Sequence, residues 1–213
     1  MLPLWEDTKS KVRVGRLTLP EEIETLVRRL EEAALRQGWQ LTDDLRRFSD
    51  RSVFFVLEVG EQLAGGLQLV RPDPSGALPY QELWPEVQCG IPGLSAHVII
   101  LALDKSVRGQ SLLFWRLVVE LWRFCVAEDI ATLFLETTPR ILPLYRRLGW
   151  SLQSRGELRR HWKGDCYLCT LSIAEVAAAL LRRAGYSVYY RQIIAQAFRV
   201  TISAGRTGKK TLS

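Results

Sequence analysis

Histidine and methionine are scarce in this chain, with two and one respectively in 213 residues. Two imidazoles, His97 and His161, cannot build a histidine-rich metal centre. The four cysteines are Cys89, Cys125, Cys166 and Cys169, and only the last two are close in sequence. Cys166 and Cys169 lie in a stretch read as a strand, where side chains three apart face opposite sides. A metal site is therefore not expected. Long apolar runs are also missing, which excludes a membrane-spanning helix. The N-terminus carries Glu6 and Asp7 where a signal peptide carries positive charge, so a cytoplasmic location and reduced thiols are expected. Charge is not strongly one-sided: 29 basic against 23 acidic residues give a net +6. That excess is compatible with an acidic partner, nucleic acid or an acyl carrier protein, but is too small to name one. There is no internal repeat.

What is present is a strand and helix pattern. Lys11 to Leu17 alternates apolar and charged residues, as a half-buried strand does. Pro20 with Glu21 and Glu22 opens a helix in which Ile23, Leu26, Val27, Leu30, Ala34 and Leu35 recur at helical spacing, with Gly38 as its stop. Val53 to Val59 and Leu63 to Arg71 read as a hairpin around Gly60. Five prolines make Pro72 to Gly93 a loop, with a short helix near Gln81 to Trp84. From Ala96 the order is apolar strand, turn at Val107-Arg108-Gly109-Gln110-Ser111, and long amphipathic helix. The strand Thr132 to Glu136 and a short helix ending at Tyr145 to Trp150 follow. A strand pair over Trp150 to Leu158 and Asp165 to Leu171 and a helix from Ala174 to Arg183 complete the pattern. Residues 188–202 give no clean assignment. The pattern predicts an α/β protein of the α+β type: one domain over residues 1–204, with a mixed, mostly antiparallel, twisted sheet flanked by helices. Residues 205–213 form a basic tail expected to be disordered. Gly208-Lys209-Lys210-Thr211 in that tail lacks the flanking strand and helix of a phosphate-binding loop.

A strand running into a tight turn and a helix N-terminus is an anion-binding device, because the first helical amides lack partners and the helix dipole favours negative charge. The order strand, Arg-Gly turn, helix, strand and Tyr145-x-x-x-Gly149-Trp150 resembles the acyl-donor half of the GNAT superfamily of N-acyltransferases. Gly38-Trp39, Arg47-Phe48-Ser49, Phe54-Phe55-Val56-Leu57, Gly65-Gly66-Leu67-Gln68-Leu69-Val70-Arg71-Pro72 and Leu83-Trp84-Pro85-Glu86 add the order of the acyl-homoserine lactone synthases and the long-chain N-acyl amino acid synthases. This resemblance spans roughly Glu24 to Leu171. It implies a GNAT-like fold and a donor that is acyl-CoA or acyl carrier protein, each carrying a phosphopantetheine thioester. It also implies an acceptor that is a small-molecule amine such as an amino acid.

The chain departs from those families at definite positions. Their strand arginine falls on Gln68, and their Glu-x-x-Arg pair falls on His97 and Ile100. Their acidic pair falls near Arg46 and Ser49, although Asp43, Asp44 and Asp50 are close. These changes argue against a homoserine lactone product. Ser111 and Leu113 stand where small residues usually open the phosphate turn, which favours a donor with one phosphate to hold over a CoA pyrophosphate.

Three residues are candidates for the chemistry. Tyr145 stands where the resemblance implies a phenol near the thioester sulfur, able to protonate the leaving thiolate. His97 and Glu136 are candidate bases for the amine, ahead of Glu82 and Glu86. Val107, Arg108, Gly109, Gln110, Ser111 and Leu112 are the candidate donor-phosphate site. Trp39, Phe54, Gln68 and Trp84 are candidate pocket residues. Arg146, Arg147, Arg155, Arg159 and Arg160 are the candidate carrier contact. Two alternatives stand beside a fatty N-acyltransferase: an acetyl-CoA-dependent N-acetyltransferase, and a GNAT-fold binding module with decayed catalytic positions. Nucleic acid is not the expected partner.

Overall fold

Alternating apolar residues, closed by short turns, place eight strands in one sheet. The computed structural model describes residues 1–8, 11–36, 38–40, 44–88, 94–107, 111–184 and 191–195. The strands are β1 (Leu2–Asp7), β2 (Val12–Leu17), β3 (Ser52–Val59), β4 (Gln62–Val70), β5 (Ser95–Leu103), β6 (Thr132–Thr137), β7 (Gln153–His161) and β8 (Gly164–Ser172). Their order is β1-β2-β3-β4-β5-β6-β8-β7. Every junction is antiparallel except β5 with β6, which run parallel because helix α3 (Ser111–Ala127) crosses over between them. No described helix is long and apolar enough to cross a membrane.

Helices cover both faces. Helix α1 (Pro20–Leu35) buries Leu26, Val27, Leu30, Ala33 and Ala34 and packs with Phe54, Val56, Val70, Ile99 and Ile100 of the sheet. Leu26, Val27 and Leu30 each contribute roughly 1.5–3 kcal/mol of burial. On the opposite face α3 packs Leu117, Val118, Leu121, Trp122 and Cys125 with Phe55, Leu57, Ala96, Val98, Leu133 and Leu135. Helix α5 (Ile173–Ala184) and the helical residues 191–195 join this core through Val176, Leu180, Ile193 and Ile194. Close packing explains Gly66 on β4: a Cβ there would stand 2.7 Å from both Leu26 Cδ1 and the Phe55 carbonyl oxygen.

Several elements differ from the sequence expectation. β1 was not expected, and Pro3 in it is tolerated because β1 is an edge strand. The polar stretch after Gly38 contains helix α2 (Asp44–Arg47) and a 3₁₀ turn at Ser49–Arg51. The short helix of the proline-rich loop lies at Pro79–Glu82, where Pro79 starts it, two residues earlier than expected. β7 begins at Gln153 because Gly149, at φ 84°, and Trp150 still belong to the end of helix α4 (Leu142–Arg147). Cys166 and Cys169 do face opposite sides of β8, one packing with Trp84 and the other with Trp150. The tail 205–213 lies outside the described residues.

The central feature of the sheet is a fork. β5 pairs with β6 only over Ser95–Val98. Ile99 is skipped in the register with β4, where Leu69 faces Val98 and Gln68 faces Ile100, a bulge that turns β5. From there β5 stays bonded to β4 as far as Leu103, while β6 stays bonded to β8 as far as Thr137. The two parallel strands therefore diverge beyond Val98 and Leu135.

Candidate active site

His97 and Glu136 arise from the two arms of the fork and share a face. His97 lies opposite Phe134, and Glu136 follows Phe134 by two positions. Their nearest atoms, His97 Nε2 and Glu136 Oε1, are 3.7 Å apart. Among the described residues neither His97 ring nitrogen has a hydrogen-bond partner, although the residue is only 1% exposed. The other Glu136 oxygen, Oε2, is hydrogen-bonded to His161 Nδ1. His161 Nε2 in turn stands 3.9 Å from Asp44 Oδ2. The arrangement is a row, Asp44, His161, Glu136, His97, in which an imidazole sits between two carboxylates.

The local sequence explains each placement. The hairpin from β7 to β8 turns through Trp162 and Lys163, both at positive φ (48° and 66°), the geometry of a two-residue I′ turn. Asn-Gly is the usual occupant of that turn, and a tryptophan there is strained. Trp162 is fixed by a 2.9 Å hydrogen bond from its Nε1 to Asp44 Oδ2 and by stacking on His161 at 4.3 Å between centroids. Tyr80, from the 3₁₀ turn, stacks on Phe134 at 4.3 Å and meets His97 edge-on at 5.7 Å. The result is a cavity of about 50 Å³ lined by Asp44, Phe48, Pro79, Tyr80, Glu82, Leu83, His97, Ile99, Glu136, His161 and Trp162.

The electrostatics follow from burial. Burial, with the charges of His161 and Arg51 adding to it, holds His97 down at about 3, so the ring is a neutral acceptor through the physiological range. Burial raises the Glu136 carboxyl above the ordinary carboxylate range; the His161 hydrogen bond and charge oppose this, and Asp44 adds to it. Burial pulls His161 down, but the hydrogen bond and charge of Glu136, with Asp44, outweigh it and raise its pKa. Glu136 and His161 thus hold a proton more tightly than isolated side chains would. His161 is the more exposed of the two, at 27% of its side chain against 2%.

Tyr145 lies on the other face. It packs among the residues of the α3 core, with its ring parallel to Trp150 at 5.1 Å. Burial, with Cys169 adding to it, pushes its phenol up to about 12, so it remains protonated. The sequence candidates therefore divide into His97 and Glu136 together on one side of the fork and Tyr145 on the other.

The remaining candidates are placed as follows. Val107 is buried at the end of a 3₁₀ turn, its amide bonded to the Asp104 carbonyl. Arg108, Gly109 and Gln110 lie outside the described residues, Ser111 begins α3, and Leu112 is exposed. Gln68, expected in the pocket, is instead fully buried; its Nε2 donates to the Leu45 carbonyl at 3.0 Å and to Ser52 Oγ at 2.7 Å, tying α2 to the sheet. Phe54 is core. Trp39 backs Trp162 at 6.3 Å, and Trp84 meets His161 edge-on at 6.5 Å with its Nε1 bonded to the Glu157 carbonyl. These last two support the cavity wall from behind. Glu82 is at the cavity, paired with Arg47, whereas Glu86 pairs with Arg159. His161, Tyr80 and Trp162 carried no role in the sequence reading, and Asp44 entered it only as an acid close to the families' acidic pair. The pairing of His161 with an acid on a strand 25 residues earlier leaves no local sequence signal.

No protein-family description matches the chain, and its sequence matches no characterised protein. Solved structures share its fold. FeeM, an N-acyl amino acid synthase from uncultured soil microbes, superposes with a TM-score of 0.68 at 17% identity, over 83% of this chain and 98% of that one. BjaI, a CoA-dependent acyl-homoserine lactone synthase solved with SAM and isopentyl-CoA, gives 0.63 at 15% identity, over 83% and 92%. A GNAT-family protein from Desulfovibrio desulfuricans gives 0.52 at 16% identity, over 76% and 99%. The chain thus has the GNAT-like fold in the form shared by N-acyl amino acid synthases and acyl-homoserine lactone synthases.

Proposed function

We propose that the protein is an N-acyltransferase that moves an acyl group, fatty rather than acetyl, from acyl carrier protein or CoA to the amine of a small molecule. The observation that carries this reading is the fork. It sets a buried neutral imidazole and a proton-holding Glu136–His161 pair on one side of diverging strands, and a protonated phenol on the other. The GNAT-like fold of the structural neighbours supports it.

In this reading the acceptor nitrogen sits by His97, and its proton passes to Glu136 and His161, the latter reaching solvent. The nitrogen attacks the thioester carbonyl, the C–N bond forms and the C–S bond breaks. Tyr145 gives its proton to the departing thiolate. On the donor side, α3 begins at Ser111 shortly after β5, and its first amides lack intrahelical partners, as an anion site requires. Arg146, Arg147, Arg155 and Arg160 are exposed and suit an acidic carrier surface, whereas Arg159 is tied to the Leu83 carbonyl and Glu86.

The test is mass spectrometry of lipid extracts from cells producing the wild-type protein or Tyr145→Phe. A new N-acyl amine, reduced roughly 10–100-fold in the variant, supports the reading, in the range of a lost general acid. Equal product from both proteins removes Tyr145 from the mechanism. Purified protein that transfers acetyl and no longer acyl group favours the acetyltransferase alternative.

A further inference from the structure

We propose that the acceptor is a primary alkylamine, bound as its ammonium ion, with no carboxylate beside the amine. This inference rests on the N-acyl transfer reading of the same site and narrows its substrate.

Among the described residues, three carboxylates line the cavity, those of Asp44, Glu82 and Glu136, and no lysine or arginine does. Two guanidinium groups come near, and both are engaged. Arg47 is paired with both carboxylate oxygens of Glu82. Arg51 stacks on Phe48 and donates to the Ala77 carbonyl at 2.9 Å. His161 is held between Glu136 and Asp44. An α-carboxylate on the acceptor would enter a space lined by carboxylates in which, among the described residues, every nearby cation (Arg47, Arg51 and His161) already has its own partners, a desolvated arrangement that is unfavourable.

An ammonium group fits the same space. It brings three donors and no acceptor. His97, buried with both nitrogens bare, is an acceptor in need of one donor. The Glu136 Oε1 facing it at 3.7 Å can take another. The aromatic faces of Phe48, Tyr80 and Trp162 suit an alkyl stem and a cation. The unpartnered imidazole is evidence independent of the acidic wall, because its bare acceptor nitrogen marks a missing hydrogen-bond donor, while its N–H is left for an acceptor such as Glu136 Oε1.

The experiment is isothermal titration calorimetry of the full chain at neutral pH with matched pairs, tyramine against tyrosine and isopentylamine against leucine. The amine of at least one pair should bind about tenfold or more tightly than its amino acid, the size expected when one like charge is desolvated. Equal or tighter binding of the amino acids overturns the inference, and so does no binding of either class. The Glu82→Gln variant releases Arg47 and should narrow the preference by roughly threefold or more; an unchanged ratio overturns the role given to that pair. Product assays with acyl-CoA and acyl carrier protein separate the two readings. Amine-selective binding without any N-acyl product supports the acceptor class and sinks the transfer reading. N-acylated amino acids formed in preference to N-acylated amines do the reverse.

Discussion

His97 and Glu136 stand 3.7 Å apart across the fork with no hydrogen bond between them, one from each diverging strand. The gap is where a donor is missing, and in the proposed reaction the carboxylate is the group that receives the acceptor's proton.

Replacing Glu136 with Gln should lower kcat/KM for transfer by roughly 10²–10⁴-fold. Gln can still accept from His161, so thermal unfolding should change little. Because Glu136 is raised by burial, wild-type activity should rise with pH through a step above the ordinary carboxylate range as that proton is lost. Measuring the profile for both proteins is decisive: a Gln variant that keeps the step shows that the base is another group.

His97 makes a second, independent pH prediction. Its folded pKa is depressed to about 3, so between that value and an unfolded value near 6.5 the unfolded chain binds a proton that the native chain does not. Stability from this group is full above about pH 6.5 and falls as pH falls toward 3, by at most ~1.4 kcal/mol per pH unit. Glu136, raised in the fold, works in the opposite sense and loses stability as pH rises through its folded pKa. Urea unfolding of His97→Gln at pH 4.5 and 6.5 should show a smaller difference between the two pH values than wild type. An equal difference would mean that His97 is protonated in the native state.

Gly66→Ala should destabilise the protein by roughly 1–3 kcal/mol through overpacking. Its Cβ would press on the Phe55 carbonyl oxygen, which is backbone and cannot rotate away. Thermal unfolding should fall by about 2–4 °C per kcal/mol for a chain of this size. A melting temperature within a degree of wild type would show that α1 and β3 separate more readily than their packing indicates.

Lys163→Gly should stabilise the hairpin by roughly 0.5–1 kcal/mol. Lys163 is exposed and held at φ 66°, a region glycine occupies without strain. The same measurement checks it, and transfer activity should be unchanged because the side chain points to solvent.

Much of the fold was legible because it rests on local patterns. Pro20 and the acids after it began α1 where expected, and the alternation in Val12–Leu17 and the hairpin around Gly60 became β2, β3 and β4. β1 was missed because Pro3 and two acids mask its alternation. The site was legible only in part. His97 could be named because the resemblance sets it at the families' acidic strand position, and Glu136 because it ends the strand that follows the long helix. Their partner His161 could not, because its place depends on how β7 and β8 stack beside β6, and Asp44 reaches it from 117 residues away. Gln68 was misplaced for a related reason. It lies on a strand of the right kind, but α2 covers it and turns a polar side chain into a clamp.

The short parallel junction at Ser95–Val98 also has a mechanical meaning. It divides the sheet into a five-strand block and a three-strand block, held together there by a few ladder bonds and by α3 across the back. A load applied across the sheet would part it along this line first. Native-state hydrogen exchange should accordingly show the β6–β8–β7 block opening as a unit, and anything that bridges both arms would clamp the seam shut.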